Sequence, residues 1–332
     1  MVLKSIQVMR SIAALSVVRF HLGVYGFSNG AAGVDIFFVI SGFIMGATSL
    51  KLPAAAFVFK RLVRIVPLYW IATLLMCAGS MVPGLFAKFQ FDAITLLKSL
   101  FFIPYLDASG HIWPLLVPGW TLNYEMLFYL IFTIGLLMSR PVLVCHIAIG
   151  FLVIAGLVFS PQSAMLRFWT DPILLEFLAG LLIATTRLRT LGAASGAVLL
   201  TAGTLFFVFS TFYATGQMPR ILMWGVPAVL VVSGAVALEN AHKWPQFRPL
   251  EMIGDASYSL YLLHGFVINA VHKLLKLPVI PDVIVCLILS ITIAYMSWKF
   301  IELGISKKIS LFVTQKMPKY NVDKIIVINN AR

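Results

Sequence analysis

Arg10, Arg19 and His21 lie in MRSIAALSVVRFHLGVYGF, Met9 to Phe27, a stretch otherwise apolar enough to enter a bilayer. Ionisable side chains at membrane depth are costly and usually face a protein interior or a wet cavity. An imidazole placed there can act as a general base or as a nucleophile, and a guanidinium can hold an anion. On a helix, the eleven residues from Arg10 to His21 span about three turns, roughly 16 Å along one face. Arg19 projects from the opposite face. The next apolar run contains GVDIFFVISGF, Gly33 to Phe43. With a turn near Ser28, Asp35 reaches the depth of His21, where its carboxylate could fix one tautomer of the imidazole or neutralise Arg19. Structural roles stay open beside these: Arg10 can snorkel from a helix end, and Arg19 can serve packing or ion pairing.

Two further polar constellations sit in apolar surroundings. In PGWTLNYEMLFY, Pro118 to Tyr129, Glu125 and Tyr129 are four apart and share a helix face. Glu125 could pair with an arginine or orient a substrate, and Trp120 and Tyr124 fall near a membrane interface, where aromatic belts are common. In GDASYSLYLLHGF, Gly254 to Phe266, Ser257, Tyr261 and His264 follow i, i+4, i+7 spacing and make a polar stripe. His264 is either a second catalytic or binding group or a hydrogen bond between helices.

The elements that must position these groups are membrane helices. Of 332 residues, 61% are hydrophobic and only 11% charged, against about a quarter charged in an ordinary soluble domain. Backbone polar groups in lipid must be satisfied internally, so the apolar runs are read as helices. A ruler of about 20 residues finds about ten spans, at 5–26, 31–50, 67–87, 119–138, 142–160, 171–188, 192–213, 220–238, 256–276 and 279–303. Lys51 to Pro67 alternates basic and apolar groups as an interfacial helix would. Leu96 to Gly119 is apolar but broken by prolines, which fits a re-entrant or lumen-lining loop. The expected fold is all-α, a polytopic integral membrane protein, with a membrane domain over 1–310 and a short basic tail over 311–332.

The net charge of +13 resides mostly in short connections, so topology explains it better than nucleic acid does. Lys4, Lys51, Lys60, Arg61, Arg64, Arg140 and the tail lysines fall in one set of connections. The smaller share, including Lys88, Arg167, Arg220 and Lys273, falls in the other. This asymmetry places both termini in the cytoplasm. On that orientation Arg10 lies toward the cytoplasm and His21 toward the outer half. An anionic donor could meet Arg10 first, with Lys60, Arg61 and Arg64 extending the same electropositive pocket. Cys77, Cys145 and Cys286 are scattered through apolar runs, and no spacing among them points to zinc or to disulfides. No metal is expected.

These segments together resemble the acyltransferase 3 family of bacterial membrane acyltransferases. The resemblance runs from Ser5 to about Glu302. It is carried by Arg10 and His21, GVDIFFVISGF, FKRLVRIVPLYW (Phe59 to Trp70), PGWTLNYEMLFYLIF and GDASYSLYLLHG. The wording of FKRLVRIVPLYW and PGWTLNYEMLFYLIF is most similar to the ExoZ-like exopolysaccharide O-acetyltransferase branch. The resemblance implies transfer of acetyl from cytoplasmic acetyl-CoA to a hydroxyl of a glycan or lipid-linked saccharide at the inner membrane, with polysaccharide-assembly proteins as further partners. It implies that His21 is catalytic and that Arg10 engages the donor. Asp35, Arg61, Arg64, Glu125, Tyr258 and His264 match other motif positions. Asp35, Glu125 and His264 are taken with His21 as catalytic candidates, Arg61 and Arg64 with Arg10 as donor-binding, and Trp120 and Tyr258 as acceptor-binding. After Glu302 the sequence departs from the family pattern, with Leu303 and Gly304 where a basic residue and proline are common. A glycan or acyl-donor transporter or flippase without covalent chemistry is the competing class, because transporters also bury Arg, His and Glu.

Overall fold

The structure, a computed structural model, describes residues 3–23, 28–81, 91–210, 218–305 and 307–308. The tail 311–332 and the expected span ends at 87 and 213 lie outside the described residues. Among the described residues every regular element is helical. In chain order these are α1 (Lys4–His21), α2 (Gly33–Thr48), α3 (Ala54–Ser80), α4 (Ala93–Leu100), α5 (Trp120–Leu137), α6 (Pro141–Phe159), α7 (Ala164–Trp169), α8 (Leu174–Thr185), α9 (Ala193–Ser210), α10 (Val226–Asn240), α11 (Arg248–Asp255), α12 (Ser257–Leu274) and α13 (Val279–Ser297). A 3-10 turn, Ser28–Ala32, leads into α2, and a π-helical turn, Ile221–Gly225, leads into α10.

Eight of the helical stretches described are long and apolar enough to cross a membrane, so the chain is an all-α, multi-pass membrane protein. Ten spans were expected. The two that fall short are α1 and α12, each 18 residues long. They carry Arg10, Arg19 and His21 in one case and His264 and Lys273 in the other; Arg10 and His264 are buried, whereas Arg19, His21 and Lys273 are exposed.

The chain divides into two compact units. The first comprises the described residues within Met1–Lys51 and Leu175–Phe300. Its core joins Ile6, Met9, Ala13, Ile36, Val39, Ile40, Val232, Ala235 and Val236, from α1, α2 and α10. A second cluster joins Ala14 and Val18 to Leu260, Val267, Ile268, Cys286 and Ala294, from α12 and α13. The polar helix α1 is therefore packed on several sides. Glycine sets the closest approach. A Cβ on Gly42 would overlap the Phe177 carbonyl, and one on Gly180 would overlap the Val39 carbonyl, so α2 and α8 meet backbone to backbone.

The second unit comprises the described residues within Leu52–Leu174 and Ile301–Ile325. Here α3 departs from expectation. The interfacial helix at 51–67 and the span at 67–87 are one 27-residue helix with Pro67 inside it. Such a proline is tolerated in membrane helices because neighbours re-satisfy the freed carbonyl. The loop after α4 is tied to α3 through Ser99: Tyr69 donates to its carbonyl at 3.0 Å, and its hydroxyl bonds Tyr105 at 2.9 Å and the Leu115 amide at 3.0 Å. Asp92 caps α4 by accepting from the Thr95 amide at 2.7 Å, and that bond holds its carboxyl below the usual range.

Candidate active site

His21 is the last residue of α1 and is exposed, whereas His264 of α12 is buried at 1% exposure. Their rings lie 4.8 Å apart between centroids, and His264 Nε2 is 3.2 Å from His21 Nδ1. Two carbonyls assign the protons. The Leu260 carbonyl, 3.2 Å from His264 Nδ1, can only accept, so that nitrogen carries a hydrogen. The Val17 carbonyl, 2.9 Å from His21 Nδ1, does the same for His21. His264 Nε2 is then a lone pair that shares the His21 Nδ1 proton with Val17. His21 Nε2 is left with its own lone pair and no partner among the described residues. An oriented imidazole with an outward lone pair is what a general base or a nucleophile requires.

Asp35 does not hold His21. Fully buried in the first turn of α2, it accepts from Arg220 Nε at 3.1 Å and Nη2 at 2.7 Å, a bidentate pair. The Arg220 guanidinium also lies over the Trp224 ring, 4.8 Å from its centroid. The expectation that Asp35 would fix the imidazole or neutralise Arg19 is thus corrected: α2 reaches the π-helical turn before α10 instead. Arg220 carries a third of its side chain exposed, so its fork can pair the carboxylate at one edge and remain solvated at the other.

Arg10 is buried at 7% exposure and donates from Nη1 to Gln7 Oε1 at 2.9 Å. Gln7 in turn donates from Nε2 to Asp255 Oδ1 at 2.7 Å, joining α1 to the end of α11. The N-terminus of α1 is capped from α10, where Glu239 accepts the Lys4 amide at 2.8 Å and the Ser5 amide at 2.6 Å. A carboxylate at a helix N-terminus also complements the helix dipole. Tyr258 is half-buried, and Tyr261 sits with its ring 6.3 Å from His264 and 5.9 Å from Phe37.

In the second unit the spacing argument for Glu125 holds: the Tyr129 hydroxyl donates to Glu125 Oε2 at 3.1 Å. Arg61 lies over both Tyr129 and Phe57, at 5.7 and 5.5 Å from the ring centroids. Arg64 is half-buried one turn further along α3. Trp120 meets Tyr124 edge-on at 5.9 Å, and Tyr124 is buried against Phe168. Tyr124 is therefore a packing residue rather than a belt residue.

Gln7, Asp255, Glu239 and Arg220 were missed from sequence, as was Glu176, a fully buried carboxylate beside Gly225. A usable signal existed for Arg220 alone: it is the basic residue before a span that starts on the same expected side as Asp35.

The family model described as an acyltransferase domain matches residues 3–299. The chain belongs to the acyltransferase 3 family. It is 41% identical over 258 residues to the exopolysaccharide production protein ExoZ of Rhizobium meliloti, covering 74% of this chain and 79% of that one. It is 28% identical to the peptidoglycan O-acetyltransferase OatA of Listeria monocytogenes, over 91% of this chain and 56% of the relative. The O-acetyltransferase OatA of Staphylococcus aureus is 25% identical, over 90% of this chain and 56% of that protein. The chain thus spans little more than half the length of the OatA relatives. No solved structure matches it. For an acyltransferase 3 chain, the matched range contains both histidines and every basic residue singled out above.

Proposed function

We propose that this chain is an inner-membrane O-acyltransferase that moves acetyl from acetyl-CoA to a hydroxyl of an exopolysaccharide or another cell-surface glycan. The observation that carries the reading is the histidine pair, which leaves His21 Nε2 outward with a lone pair. Family membership and the printed activities of the OatA relatives support acyl transfer; the name of the ExoZ relative supports an exopolysaccharide acceptor.

His21 Nε2 takes the proton of the acceptor hydroxyl as that oxygen bonds the acyl carbon. The bond from the acyl carbon to the donor sulfur breaks, and the imidazolium returns the proton to the leaving thiolate. The same lone pair could first take the acyl group and pass it on, which suits a donor and acceptor on opposite sides of the membrane. In either route the buried His264 acts as a positioning residue, and its lone pair stabilises the His21 imidazolium through the shared Nδ1 proton. In the first unit Arg10 offers positive charge for an anionic donor and Tyr258 a contact for a saccharide; in the second unit, taken by itself, Arg61 and Arg64 offer positive charge, Trp120 a saccharide contact, and Glu125 orients substrate. Asp35 acts through Arg220 by holding α2 in place.

The test is O-acetyl content of the surface glycan in cells carrying the wild-type chain or His21→Ala. Loss of acetyl with the variant still in the membrane is expected. Unchanged acetylation with altered glycan export would instead indicate a transporter.

A further inference from the structure

His272 lies in the last turn of α12, and Asp282 and Cys286 lie in the first two turns of α13. Asp282 and Cys286 are four apart and share one helix face. His272 Nε2 is 2.8 Å from Asp282 Oδ2, and the ligand atoms of His272, Asp282 and Cys286 all lie within 4.8 Å of one another. We propose that these three side chains form a binding site for one borderline divalent transition-metal ion of the zinc(II) type, clamping the end of α12 to α13.

Four observations carry this. First, imidazole, carboxylate and thiolate are the three ligand types that zinc accepts, whereas calcium and magnesium prefer all-oxygen shells. Second, the spacing fits. A tetrahedral ion about 2.0 to 2.3 Å from each donor sets donor separations of roughly 3.3 to 3.8 Å. His272 Nε2 and Asp282 Oδ2 are 2.8 Å apart and all three donor atoms lie within 4.8 Å of one another, so small rotamer shifts bring them into that range. Third, exposure is graded: His272 is 45% exposed, Asp282 14%, and Cys286 fully buried. An ion can enter past the histidine and settle on the thiolate, with its fourth position open to water. Fourth, one carboxylate and one thiolate neutralise a dication.

An ion pair between His272 and Asp282 would not require a thiol beneath it. On binding, the Cys286 S–H bond breaks, a sulfur–metal bond forms and the proton leaves to solvent, with no change of oxidation state. The histidine is ten residues from the aspartate, which is why no metal-ligand spacing stood out among the cysteines in sequence. The site is independent of the acyl-transfer reading, although the helix it would clamp is the one that carries His264.

The test is titration of the untagged full-length chain in detergent with cobalt(II), which reports thiolate ligation through its charge-transfer absorption. One ion per chain and a charge-transfer band are expected, retained in Cys77→Ser and lost in Cys286→Ser. His272→Ala and Asp282→Asn should weaken binding by roughly tenfold or more. Zinc(II) should raise the thermal midpoint of the wild-type chain but not of Cys286→Ser, because a ligand that binds only the folded state stabilises it. Cys286→Ser is nearly isosteric, so it carries the test if His272→Ala fails to fold. A wild-type chain with no charge-transfer band, or a band that persists in Cys286→Ser, would overturn the proposal.

Discussion

At the scale of the residue, His21 and His264 divide one task between an exposed ring and a buried one. The buried ring can only accept the hydrogen bond from His21 Nδ1, because its other nitrogen donates to the Leu260 carbonyl. His21→Ala should therefore lower acetyl transfer by roughly 10²- to 10⁴-fold, the usual worth of a positioned base. His264 is the sharper case. His264→Ala removes the acceptor and should cost turnover on the order of 10²-fold, while His264→Gln, whose amide oxygen can still accept, should recover part of the loss. Equal loss in both variants would mean that His264 does chemistry itself. Glu125 and Tyr129 could be read from sequence because their contact lies within one helix. The histidine pair could not, since its members are 243 residues apart. Asp35 was assigned to the wrong partner for the same reason: Arg220 is 185 residues away, and depth along two helices does not say which neighbour fills the gap.

At the scale of the element, α2 is held by two devices of different kinds, a bidentate ion pair and glycine contacts to α8. Arg220→Ala leaves a fully buried carboxylate unpaired. It should cost about 3 kcal/mol, at the low end for a buried pair because Arg220 is partly exposed. Asp35→Asn should cost less, since it leaves no buried charge; thermal unfolding in detergent measures both. Gly180→Ala forces a methyl into the Val39 carbonyl and should destabilise the chain by roughly 1 to 3 kcal/mol, as overpacking does. Spans such as α6 and α10 were legible from their apolar runs, but α3 was not. The basic residues Lys60, Arg61 and Arg64 and the proline at 67 all argued for a break, yet Arg61 finds aromatic faces on Phe57 and Tyr129. Tyr129, a partner from α5, helps make the continuous helix acceptable, and it is invisible in the α3 segment alone.

At the scale of the whole molecule, composition pointed to an all-α membrane protein, and eight long apolar helices among the described residues bear out the class. The count of spans is where the two readings part. Eight stretches pass on length and apolarity, while α1 and α12 fall short because they carry the charged and imidazole groups. Polar groups lower apolarity in the helices where the candidate chemistry sits. Reporter fusions after residues 140 and 243 should both report cytoplasm if α1 crosses the membrane and the N-terminus is cytoplasmic. The measurement that tests the central claim most directly is mass spectrometry of surface glycans from cells with the wild-type chain, with His21→Ala, and with no chain. Acetyl lost equally in the variant and the deletion is the predicted result. Acetyl present in His21→Ala at the wild-type level, and absent only from the deletion, would contradict the assignment of His21 as the catalytic group.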